Sequence, residues 1–192
     1  MKKVGRFTKA FVFMSILIAG AGFFLVPSAW AQIKELRIGI GIDADTLNPQ
    51  EHTTTLCQNM SDLIQDTLLY QTPDNKLEPR LLTKYDVSKD GLTYTLLLKK
   101  GVKFSDGTLF DAKALKLTFD RALDPKLKVP LRFAITMVKE VTIVDDYTVR
   151  VQLKYPYAPF TATLSLTLCS PISPAAIEKY GVADGISYIS TG

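Results

Sequence analysis

Alternation between hydrophobic and polar positions predicts much of the β-structure of this chain. Within residues 36–42 every second residue is hydrophobic, and this period of two indicates a strand with one buried face. The same alternation runs through residues 84–98 around Asp90-Gly91 and through 138–155 around Asp145-Asp146. Short turns of this kind join antiparallel strands, so each of the two segments predicts a β-hairpin.

Hydrophobic residues at intervals of three or four predict two longer helices. One runs from about Leu56 to Leu68, and a threonine within 53–55 is placed to cap its first turn. The other is the segment "AKALKLTFDRAL", which follows Asp111 directly. An aspartate in that position is a favoured N-cap, so the helix is expected to begin immediately after Asp111.

The segment near the C-terminus mixes an ambiguous stretch with a clearer helix signal. Residues 160–168, "FTATLSLTL", suit either a helix or a strand, because neither period is distinct. Ser173 is placed to cap a short helix, Pro174 to occupy its first turn and Gly181 to end it. Helices and hairpins together predict a mixed α/β fold.

A group of four carboxylates raises the question of a metal or acid–base site; they are Asp106, Asp111, Asp120 and Asp124. A calcium loop needs oxygen ligands at alternating positions, and hydrophobic residues stand at those positions here. The expected roles are therefore a turn at Asp106-Gly107, a helix cap, a solvated surface charge and a helix end. No metal site is predicted.

The N-terminus has the layout of a secretory signal peptide. Four basic residues precede a hydrophobic run from residue 10 to 26, and Ala29 and Ala31 follow at the spacing that signal peptidase recognises. A transmembrane anchor is the alternative, but the run is short, contains two glycines and ends at a proline. We expect cleavage after Ala31, so that residues 1–31 are removed.

Cleavage changes the interpretation of the charge. The chain has 23 Lys and Arg against 19 Asp and Glu, and the four basic residues of the signal account for the whole excess. The neutral remainder does not indicate a nucleic-acid-binding surface. Its 161 residues of the 192 suffice for an ordinary domain with its own core.

The residues offer little support for catalysis. His52 is the only histidine, so a small secreted hydrolase would depend on it, and no nucleophile stands in a known local relation to it. No metalloprotease, phosphate-loop or dinucleotide-binding motif occurs. Cys57 and Cys169 are the only cysteines; an oxidising compartment permits a disulfide between them, and two separate buried thiols are the alternative.

Several motifs in this order resemble the family 5 extracellular solute-binding proteins of ABC importers. They are "DTLNP", the stretch from "LLYQTPDNKLEPRLL" to "DRALDP", then "VTIVDDYTVRVQLKYPYAPF" and "SPISPAAIEKYG". The most specific part is "GVKF-x-DG" followed by a helix that ends in "RALDP", at residues 101–107 and 121–125. The resemblance covers essentially all of residues 36–192.

This resemblance implies the front part of a type II periplasmic-binding-protein-like fold. Residues 32–55 and 161–192 would form part of lobe one, and 56–160 a hairpin-rich outer subdomain inserted into it. Since such proteins have two lobes that close over a ligand, the chain is expected to be an N-terminal fragment that lacks lobe two. A stand-alone structural or sensor role has no support beyond this truncation.

The resemblance also implies a function. The protein would be a monomeric, soluble periplasmic binding component that delivers a peptide or related small solute to ABC permease subunits in the inner membrane. It would need no cofactor and have no catalytic residue. Thr53, Thr54 and Thr55 would face the cleft as ligand contacts, and Cys57 and Cys169 would lie near the two crossings between lobe one and the subdomain.

Overall fold

The computed structural model describes residues 37–39, 41, 43–44 and 46–179. The chain divides into two units, Met1–Ile40 and Gly41–Gly192, and the described residues of the first, 37–39, have no regular secondary structure. The signal peptide, three of the seven residues of the strand predicted over 36–42, and the expected helix end at Gly181 lie outside the described residues. The four described residues of that segment, 37–39 and 41, do not form the predicted strand.

The second unit contains helices and antiparallel strands in the mixed order that the sequence predicts. In chain order the elements are α1 (Thr55–Ile64), β1 (Leu69–Gln71), β2 (Leu77–Pro79), β3 (Leu82–Val87), β4 (Thr93–Leu98), α2 (Ala112–Leu123), a 3-10 helix (Pro130–Ile135), β5 (Val138–Asp145), β6 (Thr148–Leu153), α3 (Phe160–Thr163), a second 3-10 helix (Thr167–Cys169) and α4 (174–179).

Both predicted hairpins are confirmed, and they join into one sheet. The strand order is β3-β4-β6-β5 and every pair is antiparallel. Gly91 follows Asp90 in the first turn with φ of 69°, a left-handed conformation that glycine adopts without strain. Alternation within the central strands buries Leu96 of β4 and Val151 of β6 completely, so one face of the sheet is available to form a core.

Helix α2 and the end of the sheet close this core. The buried face of α2 includes Leu115 and Phe119, and the helix packs against β5 and β6. Phe160 of α3 meets Tyr94 of β4 edge-on, with ring centroids 4.8 Å apart. The ambiguous segment 160–168 therefore forms a short helix and the beginning of a 3-10 turn, because packing rather than periodicity decides its conformation.

Helix α1 is shorter than the sequence predicts. It ends at Ile64, since Gln65 is extended and its side-chain amide donates to the Leu47 carbonyl at 3.1 Å. Leu68 lies beyond the helix and is fully buried, and its carbonyl accepts from the backbone amides of residues 80–82. Tertiary hydrogen bonds thus replace the last helical turn that the hydrophobic spacing indicates.

The two ends of α2 are fixed by side chains. Asp111 is the N-cap, and its carboxylate accepts from the backbone amides of Lys113 and Ala114 at 2.9 and 3.0 Å. At the other end Arg132 donates to the backbone carbonyls of Ala122, Asp124 and Leu127. The cap was expected from the sequence; the arginine, which reaches back from the following 3-10 helix, was not.

Asp106 links its own turn to the start of α4. One carboxylate oxygen accepts from the Thr108 backbone amide at 2.8 Å, and the other accepts from the Ser173 hydroxyl at 2.6 Å. The Ser173 oxygen in turn accepts from the Ala176 amide at 3.2 Å, so this serine caps α4 as predicted. Gly107 completes the turn with φ of 85°.

The remaining acids are also part of the scaffold. Asp120 pairs with Lys116 on the surface at 2.8 Å, and Asp124 ends α2 while its carboxylate accepts from the Lys126 amide. Within the described residues, no group of three or more histidine, cysteine or carboxylate side chains could hold a metal ion. Each acid therefore has the structural role that its position in the sequence predicts.

Replacing Asp111 with alanine should destabilise the fold because two amides of the first turn of α2 lose their acceptor. We expect the free energy of unfolding to fall by about 1 kcal/mol, measured by urea denaturation. Asp120→Ala is the matched control, because it removes only an exposed ion pair and should cost less than about 0.5 kcal/mol. Equal losses in the two variants would contradict the assigned cap.

The link between Asp106 and Ser173 should depend on pH. Burial raises the pKa of Asp106, but hydrogen bonds from Ser173 and Thr108 outweigh it, so the pKa lies below its ordinary value. A carboxyl of this kind stabilises the fold above its unfolded-state pKa of about 3.9, and this contribution is lost as the pH falls through the folded-state value.

Ser173→Ala should therefore lower the free energy of unfolding by roughly 1–2 kcal/mol at pH 7, because it removes both the cap and the donor to Asp106. The difference in free energy of unfolding between this variant and the unchanged protein should narrow as the pH is lowered from about 4 to 3 in a denaturation series. Ser165→Ala is the control, since that exposed hydroxyl donates only to the nearby Ala162 carbonyl. A gap of constant size across the series would show that Asp106 contributes nothing.

Candidate ligand-binding site

The three threonines at the start of α1 divide into one structural and two exposed residues. Thr54 is the N-cap, and its hydroxyl accepts from the Cys57 amide at 3.3 Å. Thr53 and Thr55 are exposed, and the structure gives their hydroxyls no hydrogen-bond partner among the described residues. The hydroxyls of Thr53 and Thr55 are therefore accessible to a ligand, whereas that of Thr54 already serves the helix.

His52 anchors this segment to the body of the protein. It is only 2% exposed, and its Nε2 lies 2.8 Å from the Thr167 hydroxyl oxygen. The same hydroxyl donates to the Gln58 side-chain carbonyl at 2.8 Å. Because a hydroxyl has a single proton, it must accept from His52, and Nε2 of the imidazole must carry a proton.

This arrangement disfavours the hydrolase that would depend on His52. The Thr167 hydroxyl, which lies against Nε2, is completely buried and donates its proton to Gln58. A nucleophile must be reachable by its substrate and must give its proton to the base. His52 thus holds the loop in place.

Cys57 and Cys169 are both buried, in α1 and in the 3-10 helix that contacts it. No bond joins them in the structure, which corresponds to the alternative of two buried thiols. Burial raises the pKa of Cys169 to about 12, so this thiol is protonated and unreactive in the folded protein. Pairing of the two in an oxidising compartment stays a prediction.

A polar groove lies between α1 and the β1–β2 hairpin. It encloses about 460 Å³ and is lined by Gln58, Asp62, Thr67, Tyr70, Gln71, Thr72, Pro73, Asn75, Arg80, Ser165 and Leu166. A second concavity of about 580 Å³ shares Asp62, Tyr70 and Arg80 with it. This groove was not predictable from the sequence, because its walls come from three separate stretches of chain.

Charge and aromatic contacts fix one wall of the groove. Arg80 pairs with Asp66 at 2.5 Å, and its guanidinium lies 5.9 Å from the centroid of the Tyr70 ring. On the opposite wall the Gln58 amide donates to Asp62 at 3.1 Å. Gln58 also accepts from Thr167, so the groove and the His52 contact share one residue.

The part of the chain that the structure describes contains no helix long and hydrophobic enough to cross a membrane. This finding concerns the described residues only, and the hydrophobic run from residue 10 to 26 lies outside them.

Known proteins similar to this chain are solute-binding proteins. Residues 76–190 match the family model of bacterial extracellular solute-binding proteins, family 5. The glutathione-binding protein GsiB of Escherichia coli O1:K1 is 36% identical over 177 residues, which are 92% of this chain and 35% of the relative. GsiB of Pectobacterium atrosepticum is 34% identical over the same length.

Solved structures show the same architecture. AgaA from A. tumefaciens R10, solved with agropinic acid, is 25% identical with a TM-score of 0.73 over 78% of this chain and 30% of its own. NikA from Brucella suis, solved with Fe(III)-EDTA, is 32% identical with a TM-score of 0.67 over 77% of this chain and 30% of its own. Both matches confirm the predicted type II fold, and each covers about a third of the solved structure.

The chain spans about a third of the length of the curated relatives that it matches. Its match to the family model nevertheless covers more than half of its residues, and the glutathione-binding relatives align with nine-tenths of it. This chain belongs to the bacterial extracellular solute-binding proteins of family 5.

Proposed function

We propose that this chain belongs to the substrate-binding component of an ABC importer, which captures a peptide or a related small solute in the periplasm and delivers it to the permease subunits. The observation that carries this proposal is the family match over residues 76–190. Glutathione is the first solute to test, because the relatives at 34–36% identity are glutathione-binding proteins. Glutathione is itself a small peptide with two carboxylates.

The ligand contacts in this proposal are Thr53, Thr54 and Thr55. Their hydroxyls can each donate and accept, which suits a peptide backbone that presents both amides and carbonyls. Thr53 and Thr55 are the stronger candidates because Thr54 already accepts from the Cys57 amide. Contact with a solute would not require either exposed hydroxyl to break a hydrogen bond within the described structure.

The proposal assigns residues 32–55 and 161–192 to part of lobe one and 56–160 to an inserted outer subdomain. All four strands of the main sheet lie within 82–153, which supports a compact subdomain in that range. The protein acts as a monomer, without a cofactor and without catalysis of its own. In the proposed binding protein, affinity comes from enclosure of the solute between two surfaces, and Thr53–Thr55 belong to one of these surfaces.

Binding can be tested on this chain by NMR titration with glutathione. Because Thr53–Thr55 form only one of the two contact surfaces, we expect a dissociation constant in the millimolar range, which corresponds to a binding free energy of about −4 kcal/mol or weaker. The chemical-shift changes should be centred on residues 53–58. Thr53→Val and Thr55→Val keep the side-chain shape but remove the hydroxyl, and the double variant should lose these changes.

Thr142→Val is the control for this titration, because Thr142 is an exposed threonine on β5. It should leave the response to glutathione unaltered. Shift changes that avoid residues 53–58, or a double variant that responds like the unchanged chain, would contradict the assigned contacts. Micromolar binding measured by calorimetry would contradict the expectation that one surface is insufficient.

Secretion makes a separate prediction about the mature N-terminus. If the gene is expressed in a bacterium with a periplasm, the protein recovered from that compartment should begin at Gln32, as cleavage after Ala31 requires. Ala31→Arg should block processing, because signal peptidase needs a small residue at the cleavage site. Ala10→Ser, far from that site, is the control. Periplasmic protein that begins at Met1 would exclude a cleaved signal.

A further inference from the structure

Arg121 is a buried cation without a partner in the described protein. It lies in the last turn of α2 and is only 7% exposed. Its Nε is buried without a hydrogen-bond acceptor, and among the described residues the guanidinium forms no hydrogen bond or ion pair. Burial of an uncompensated charge is strongly unfavourable, so such a group requires an explanation.

The face of α2 that carries Arg121 receives two other segments. One helical turn earlier, the Thr118 carbonyl accepts from the Gln50 side-chain amide at 2.9 Å. The Thr118 hydroxyl accepts from the Ile172 backbone amide at 3.0 Å. The turn at residues 48–51 and the segment at 168–172 therefore meet on this face, next to the turn of α2 that contains Arg121.

Each of these segments brings a further buried polar group that lacks a partner. Asn48 Nδ2 and Ser170 Oγ are both inaccessible, in side chains only 1% exposed, and neither has a hydrogen-bond partner in the structure. Gln50 contributes one unfilled acceptor, its side-chain carbonyl, for its amide already donates to Thr118. Among these groups and Arg121 the unfilled donors thus outnumber the unfilled acceptors.

The charges around Arg121 limit what could fill these donors. Burial lowers the pKa of Arg121, while the negative charges of Glu51 and Asp124 raise it. Neither carboxylate forms an ion pair with the guanidinium in the structure, yet both contribute negative potential. A singly charged oxyanion suits this balance better than a dianion such as phosphate, which the two carboxylates would repel more strongly.

We propose that Arg121, together with Asn48 Nδ2 and Ser170 Oγ, binds a single carboxylate. A guanidinium presents N–H groups in a planar fork that matches a carboxylate in bidentate geometry. The amide and the hydroxyl can supply the remaining donors. This site is separate from the exposed hydroxyls of Thr53 and Thr55, and it does not depend on the proposed importer function.

The test is a thermal denaturation series on the 192-residue chain at pH 7, in which acetate replaces chloride at constant ionic strength. A carboxylate that binds only the folded state should raise the Tm with saturation, by about 3–5 °C at ten times its dissociation constant. Inorganic phosphate at the same ionic strength should produce a smaller shift. A Tm that does not depend on the exchange of chloride for acetate overturns the proposal.

Variants then locate the effect. Arg121→Met retains the aliphatic stem but removes the charge, so its Tm should no longer respond to acetate. Arg150→Met is the control, because Arg150 is an exposed arginine on β6, and its response should equal that of the unchanged protein. An acetate response that persists in Arg121→Met, or disappears equally in both variants, contradicts the site.

Two further substitutions keep the proposal testable if Arg121→Met does not fold. Arg121→Lys keeps the charge but loses the planar fork, and should bind acetate at least several-fold more weakly. Glu51→Gln removes a competing negative charge from an exposed position and should bind acetate several-fold more tightly. Dose–response curves that coincide with that of the unchanged protein in both variants would overturn the assignment.

N-acetylglycine and its amide identify the source of the carboxylate. Both probes are peptide-like, but only N-acetylglycine carries a carboxylate. Stabilisation by acetate and N-acetylglycine alike, with none by the amide, would assign the site to any accessible carboxylate, including a peptide C-terminus. Stabilisation by acetate alone would restrict it to small free acids, and an effect of the amide equal to that of the acid would contradict carboxylate recognition.

Discussion

Pairing between β4 and β6 is the interaction on which the rest of the structure depends. Each of these strands belongs to a separate local hairpin, and an isolated two-stranded hairpin is only marginally stable in water. The two hairpins are joined into one four-stranded sheet by antiparallel pairing of β4 with β6. This pairing extends from Thr93 opposite Gln152 to Leu97 opposite Thr148. The joined sheet offers a hydrophobic face wide enough to receive α2, and the position of α2 then determines where the Asn48–Glu51 turn and its neighbours can lie.

Local features of this fold were predictable because each depends on a few adjacent residues. Asp111 and Ser173 cap helices in the structure, as the sequence predicts. Of the three threonines at 53–55, Thr54 is the one that caps α1. The hairpin at Asp90-Gly91 was predictable for the same reason. In each case the backbone geometry is decided within about four residues, so tertiary contacts have little opportunity to override it.

Features that depend on distant residues could not be predicted in this way. The helix ending at Ile64 was expected to continue, and only the contacts of Gln65 and Leu68 with other segments explain its end. The burial of Arg121 has the same origin, since an arginine in the last turn of a helix suggests a solvated charge near the helix dipole. The sequence identified Thr53–Thr55 through a family resemblance, whereas the distinction between capping and exposed hydroxyls required the structure.

The hydrogen bonds around Gln58 favour the exposed threonines over the groove as the first contacts of a solute. Both ends of the Gln58 amide are partly occupied, by the Thr167 hydroxyl and by Asp62. A solute that contacts this amide in the groove therefore finds one N–H and one carbonyl lone pair available, half of the capacity of the amide, and the net contribution of each such hydrogen bond is small. Thr53 and Thr55 need only release water. The buried histidine beneath them limits the freedom of the loop, so little conformational entropy remains to be lost when a solute binds there.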